Sequence, residues 1–223
     1  GYHVTLYEER LLENSGFDLG VVCEGDFTLE KILAILDARK GAWDKNKVLV
    51  EITAAAQRGE LENLLYREDG KIYKTQRRQI TGPSLKSIPV YTLNENKIRI
   101  HVMVESLGCD WGKCHFCVHP YFYNSYSLRS PEEVVKEIEA MLKIGIGVFR
   151  FAGSDTPPHF GAKIARKIKE KNLEVVFGIG SRAIKGARQQ MNSLVNAYTI
   201  LIESGLRAVF MGGETGNDII NQE

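Results

Sequence analysis

Apolar positions along the chain fall into short runs separated by polar turns, and the runs differ in period. Phe17 to Val22 reads as a strand, the turn Cys23, Glu24, Gly25, Asp26 follows, and Leu29, Ile32, Leu33 and Leu36 then recur at helical spacing. Leu64 to Tyr66 and Ile72 to Lys74 flank Arg67, Glu68, Asp69, Gly70 and Lys71. Because Asp-Gly tolerates the positive backbone angles of a tight turn, this segment predicts a hairpin. Thr81 to Pro89 reads as an irregular connector, since Pro83 and Pro89 lack an amide donor and restrict their predecessors.

From Ile98 the pattern becomes regular. An apolar run, Ile98 to Val104, precedes a helix that opens at Ser130, Pro131, Glu132, Glu133, where Ser130 caps, Pro131 suits the first turn and Glu133 reaches back. Val134, Ile138, Met141 and Leu142 supply its apolar face, and Gly145 stops it. Strands at Val148 to Ala152, Val175 to Ile179 and Ala208 to Met211 alternate with helices at Phe160 to Lys171 and Leu194 to Glu203. Such alternation requires parallel strands with crossover helices, in a sheet covered on both faces or in a barrel. Sites in these architectures collect at the carboxyl ends of the strands. There the sequence places Cys109, Cys114 and Cys117 after the first strand, and Gly153, Ser154 and Asp155 after the second. Ser181 and Arg182 follow the third, Glu214 and Thr215 the fourth.

Composition changes this picture little. The 223 residues are 43% hydrophobic and 26% charged, an ordinary globular balance, and 29 basic against 28 acidic residues give no support for a grip on nucleic acid or an anionic membrane. No apolar run approaches the roughly 20 residues of a membrane span, and no signal peptide is visible. Four cysteines, three of them within nine positions, do not make a secreted disulfide framework and fit a reducing cytoplasm. Cys23 reads as a small buried residue. The chain opens on Gly1, and Asp218 to Glu223 read as the start of a helix, so a fragment cut at both ends is expected.

The strongest chemical signal is Cys109-Asp110-Trp111-Gly112-Lys113-Cys114-His115-Phe116-Cys117, three thiols on one loop. Thiolates suit iron–sulfur clusters and zinc. Zinc in a binding or scaffold module would complete a tetrahedral site with His115 or His119. A plant-type two-iron ferredoxin shares the first spacing but needs a further cysteine, and none follows Cys117. Three structural cysteines without metal are the remaining reading. Tyr121, Phe122, Tyr123 and Tyr126, just past the loop, either wall a site or pack.

The string Gly108 to Cys117 resembles the cluster loop of the radical S-adenosylmethionine superfamily, in particular the branch whose barrel follows a cobalamin-binding domain. Four residues rather than the common three separate Cys109 from Cys114, with a Trp-Gly step between them, and Phe116 takes the aromatic place before the third cysteine. The resemblance implies an α/β fold: a partial parallel (β/α) barrel at 98–223, a hairpin and linker at 41–97, and at 1–40 the end of a Rossmann-like cobalamin-binding domain. It implies that Cys109, Cys114 and Cys117 hold three irons of a 4Fe-4S cluster whose fourth iron binds S-adenosylmethionine, which is cleaved to a 5′-deoxyadenosyl radical for hydrogen abstraction. Phe116, Gly153, Ser154, Asp155, Arg182 and Glu214 are then the candidate ligand contacts: the 153–155 turn for the methionine amino group, Arg182 for the carboxylate, and Glu214 for the ribose or methionine moiety. Gly212-Gly213-Glu214 looks like the family's glycine–glycine–glutamate motif but follows the fourth strand rather than the second. A small-molecule or peptide substrate and an electron donor such as flavodoxin or ferredoxin are implied as well. The family's Asp-x-His-x-x-Gly cobalt-ligand motif is absent, so cobalamin is expected only in a longer parent protein.

Overall fold

The computed structural model describes residues 1–38, 44–91, 99–123, 125–183 and 187–212. The chain divides into two compact units, Gly1–Ile80 and Thr81–Glu223.

The first unit contains α1 (Tyr2–Tyr7), α2 (Glu9–Glu13), β1 (Leu19–Val21), α3 (Asp26–Asp37), α4 (Lys45–Gln57), β2 (Leu64–Glu68) and β3 (Lys71–Lys74). Asp69 and Gly70 both adopt positive φ, 49° and 74°, which makes the predicted two-residue turn between β2 and β3. The hairpin set apart in a 41–97 segment continues the sheet of β1, since Leu19, Gly20 and Val21 pair antiparallel with Tyr66, Leu65 and Leu64. The parallel neighbours that a Rossmann-like domain gives its strands are not among the described residues. Helix α4 has no counterpart in the sequence pattern. Its alanine-rich run Ala54 to Ala56 gives a weak apolar stripe, and Asp44 caps it by accepting from the amides of Asn46 and Lys47 at 3.0 and 3.3 Å. Cys23 is buried, as expected.

The second unit runs through a short 3-10 turn at Gly82–Ser84, β4 (Ile100–Met103), β5 (Ser106–Leu107), α5 (His119–Phe122), β6 (Ser127–Leu128) and α6 (Pro131–Lys143). It continues through β7 (Val148–Phe151), α7 (Pro158–Glu170), β8 (Val176–Gly180), α8 (Arg188–Glu203) and β9 (Leu206–Phe210). The predicted strand start at Ile98 lies outside the described residues. Strands β4, β7, β8 and β9 stand side by side in that order and pair parallel throughout, as the strand–helix alternation requires.

Alternation along β4 and β7 sends His101, Met103, Phe149 and Phe151 to one face, where Val134, Val135, Ile138 and Met141 of α6 and Phe160, Ile164 and Ile168 of α7 bury them. Ile100, Val102, Val148 and Arg150 occupy the opposite, exposed face, which no described element covers. That face is the one a closed barrel turns inward. Ser130 caps α6 by accepting from the Glu133 amide at 3.2 Å; the reciprocal half of the expected capping box does not form. At the other end Gly145, with φ 79°, donates to the Leu142 carbonyl at 2.9 Å and Ile146 to that of Met141 at 3.0 Å, a Schellman stop.

Candidate active site

The cysteines sit on a loop that β5 and β6 close like a buckle. Ser106 pairs with Leu128 and Leu107 with Ser127, and the Arg129 amide donates to the Glu105 carbonyl at 3.0 Å. Gly108 opens the loop with φ 73° in a space so tight that an added Cβ would lie 2.7 Å from the Ser125 carbonyl oxygen. A second backbone bond, Cys117 amide to Cys114 carbonyl at 3.0 Å, turns the chain between the last two thiols. All three loop cysteines are free and partly exposed, and Phe116 between them is 67% exposed.

The loop is tied to the carboxyl ends of neighbouring strands. Cys109 Sγ, an Asp110 carboxylate oxygen and an Asp155 carboxylate oxygen lie within 4.8 Å of one another. Asp155 is buried, and its carboxylate accepts from the Arg182 amide at 3.2 Å and from Arg182 Nε at 3.1 Å. The far nitrogen of the same guanidinium reaches Asp110 at 2.5 Å, and the group passes 5.8 Å from the Trp111 ring. Burial pushes the Asp155 carboxyl above its usual range, against the pull of the Arg182 donors. The carbonyl of Asp155 accepts from the Ser106 hydroxyl at 2.9 Å and from Tyr126 at 3.2 Å. Further bonds, Thr156 amide to Gly180 carbonyl at 2.7 Å and Ser181 amide to Phe210 carbonyl at 2.9 Å, stitch the ends of β7, β8 and β9 together.

The structure thus brings Cys109, Asp155 and Arg182 together and places Gly153 and Ser154 on the same rim. Glu214 lies outside the described residues. Ser154 bonds His119 Nδ1 at 2.8 Å, whereas His115 is exposed on the loop. Burial holds the His119 ring below its usual pKa. Of the aromatic residues past the loop, Tyr123 and Tyr126 line a cavity of about 290 Å³ with Cys109, Gly112, His119, Pro120 and Ser125, while Phe122 is buried. Sequence reasoning missed Glu105, Ser106, Asp110 and Thr156. A charged residue closing an apolar strand, as Glu105 does after Val104, is the one signal that was available.

Whether these thiols fit a cluster or a single ion is a question of spacing. Three sulfurs on one tetrahedral zinc stand about 3.8 Å apart, given a zinc–sulfur bond of about 2.3 Å. Among the described residues the three thiols do not gather within 4.8 Å of one another, alone or with a histidine. Thiolates are the donors that iron–sulfur clusters take, one sulfur to each iron, so three of them on one loop fit a cluster by their chemistry.

The comparisons agree with this geometry. The Radical SAM superfamily profile matches residues 103–223. The anaerobic magnesium-protoporphyrin IX monomethyl ester cyclase of Rubrivivax gelatinosus is 24% identical over 239 residues, covering 100% of this chain and 40% of the cyclase. An uncharacterized protein of Archaeoglobus fulgidus is 44% identical over 43 residues, 19% of this chain and 8% of that protein. The radical S-adenosylmethionine methyltransferase TsrM from Kitasatospora setae, solved with tryptophan substrate and a S-adenosylmethionine analogue, superposes with a TM-score of 0.62 at 16% identity. That match covers 98% of this chain and 41% of TsrM. A second TsrM structure, with cobalamin and a [4Fe-4S] cluster bound, gives 0.61 at 16% identity over 96% of this chain and 41% of TsrM. The match therefore spans about two fifths of the length of the cyclase and of TsrM. With parallel β/α units, a three-cysteine loop on their carboxyl rim and a family profile covering more than half its residues, the chain belongs to the Radical SAM superfamily.

Proposed function

We propose that this chain binds a 4Fe-4S cluster through Cys109, Cys114 and Cys117 and uses it to cleave S-adenosylmethionine reductively, giving a 5′-deoxyadenosyl radical that abstracts hydrogen from a substrate. The observation that carries this reading is a loop with three free, partly exposed thiols whose first, Cys109, lies within 4.8 Å of the Asp155 carboxylate at the carboxyl rim of the strands. When bound, the cluster supplies the electron that breaks a sulfur–carbon bond and an open iron that chelates the amino acid end of the ligand.

The chain's own residues then position and enclose. The 153–155 turn stands where the amino group arrives, and the exposed Phe116 ring offers a stacking surface to the nucleoside. Arg182 was expected to meet the ligand carboxylate; its donors already serve Asp155 and Asp110, which supports a role in clamping the loop. Glu214 is retained as the contact for ribose or methionine. Tyr123 and Tyr126 wall the cavity and exclude water. A flavodoxin or ferredoxin supplies the electron, in the cytoplasm, and the substrate is a small molecule or a peptide. Among the described residues no helix is long and apolar enough to cross a membrane. Residues 1–40 are read as the end of a cobalamin-binding domain of a longer protein. Cobalamin, bound in TsrM, is proposed only for such a parent, because the cobalt-ligand motif is missing here.

Anaerobic reconstitution with iron and sulfide tests the reading directly. A brown protein with about four irons per chain that binds S-adenosylmethionine is expected. A colourless protein that takes up one zinc through the same cysteines would overturn it in favour of the zinc module.

A further inference from the structure

Glu105 is fully buried beyond the end of β4, four residues before Cys109, and the cluster chemistry makes no direct use of it. Its carboxylate accepts from the Gly153 amide at 3.0 Å and from the Thr156 hydroxyl at 2.5 Å. Its neighbour Ser106 reaches the carbonyl of Asp155, so two consecutive residues before the cysteine loop grip the beginning, middle and end of the 153–156 turn. The fit leaves no slack. A Cβ on Gly153 would lie 2.1 Å from Ser106 Oγ and 2.5 Å from Glu105 Oε1. A buried carboxylate is costly unless donors converge on it, and the two shortest bonds here come from that turn, with the Ser106 hydroxyl adding a longer one at 3.4 Å. A leucine would fill the same space without the cost and without the grip.

We propose that Glu105 is a positioning residue for S-adenosylmethionine: by fixing the Gly153–Thr156 turn to the segment that delivers Cys109, it sets the distance between the cluster thiols and the backbone groups that meet the ligand's amino acid end. The inference rests on the function proposed above. It requires that the turn loosen when Glu105 is changed, and that the loss fall on ligand affinity rather than on iron.

The test compares wild-type protein with Glu105→Gln, Glu105→Ala and Thr156→Val, and with Glu137→Gln as a control. Glu137 is also buried, but it bonds His101 and Arg129 behind the sheet. Iron content, amide exchange in cluster-free protein, and the Kd for S-adenosylmethionine after reconstitution are measured for each. Glu105→Ala is expected to weaken binding about ten-fold, the consequence of leaving the part-buried Gly153 amide and the buried Thr156 hydroxyl without their acceptor, with iron content unchanged. Exchange at Gly153 should quicken while Val148 to Phe151 keep their protection, and Glu137→Gln should lower stability without moving the Kd. If Glu105→Ala fails to fold, Glu105→Gln and Thr156→Val carry the same comparison with smaller changes in Kd. Variants that bind like wild type, or that lose iron and affinity in parallel, overturn the proposal. Wild-type protein that takes up iron yet binds no S-adenosylmethionine overturns the underlying function and this inference together.

Discussion

Arg182 holds two carboxylates with one guanidinium, Asp155 on the buried side and Asp110 on the exposed side, and so bridges the end of β8 to the cysteine loop. Its partial exposure limits what the pair with Asp110 contributes to stability. Arg182→Met also takes the side-chain donor from buried Asp155, which keeps only the Arg182 amide, so it should cost about 2–3 kcal/mol in urea unfolding and hasten loss of iron to a chelator, since the loop is released on one side. Weaker ligand binding with iron retention intact would instead return Arg182 to the role of a carboxylate contact. At Glu105 the consequence is a pH dependence. Burial pushes its carboxyl above the ordinary value of 4.5, so the folded chain holds this proton to higher pH than the unfolded chain. The stability from this group is complete below about 4.5 and is lost as pH rises through the folded value. The difference in unfolding free energy between wild type and Glu105→Gln, followed by urea titration across that window, should therefore shrink with rising pH; a flat difference would show an unshifted carboxyl.

At the scale of elements, helix α6 shows what a sequence discloses and what it withholds. Its start is readable because Ser130 and Pro131 act on their own neighbours, and its stop because Gly145 alone takes φ 79° without strain. Removing the cap, Ser130→Ala, should cost about 1 kcal/mol by chemical denaturation. The parallel strand order follows from alternation in the same local way. The buried network behind α6 does not. His101 Nε2 meets Glu137 at 2.7 Å, Glu137 meets Arg129 at 2.6 Å, and Arg129 donates to the Val104 carbonyl at 3.0 Å, although His101 and Glu137 are 36 residues apart. Only the packing of α6 on β4 brings them together. The site divides along the same line. Three thiols within nine positions announce themselves, whereas the bonds from Glu105 to Gly153 and Thr156 span 48 and 51 residues and exist because Met103 of β4 pairs with Phe151 of β7. Helix α4 stayed hidden for a different reason, its apolar stripe being diluted by alanines that fit any environment.

Among the described residues the buried side chains of the two units form separate sets, the first unit's including a smaller cluster of Leu12, Val22, Cys23 and Leu65. Ile32, Ile52, Leu61, Leu64 and Tyr66 pack within Gly1–Ile80, and Met103, Ile138, Phe149, Phe151, Ile164 and Phe177 within Thr81–Glu223. Every residue assigned to the site belongs to the second set's unit, so a ligand that binds there stabilises that unit alone by mass action. Calorimetry of the iron-loaded chain should resolve two transitions. Adding S-adenosylmethionine at about 100 times its Kd should raise one by roughly 2.7 kcal/mol of stability, on the order of 10 °C for a unit of this size, and leave the other in place. The assignment of each transition follows from the fluorescence of a Trp43→Phe variant, in which Trp111 on the cysteine loop is the tryptophan that remains and should track the transition that moves. A single transition that shifts as a whole would show that the units unfold as one cooperative body, and binding at the site would then stabilise Gly1–Ile80 as well.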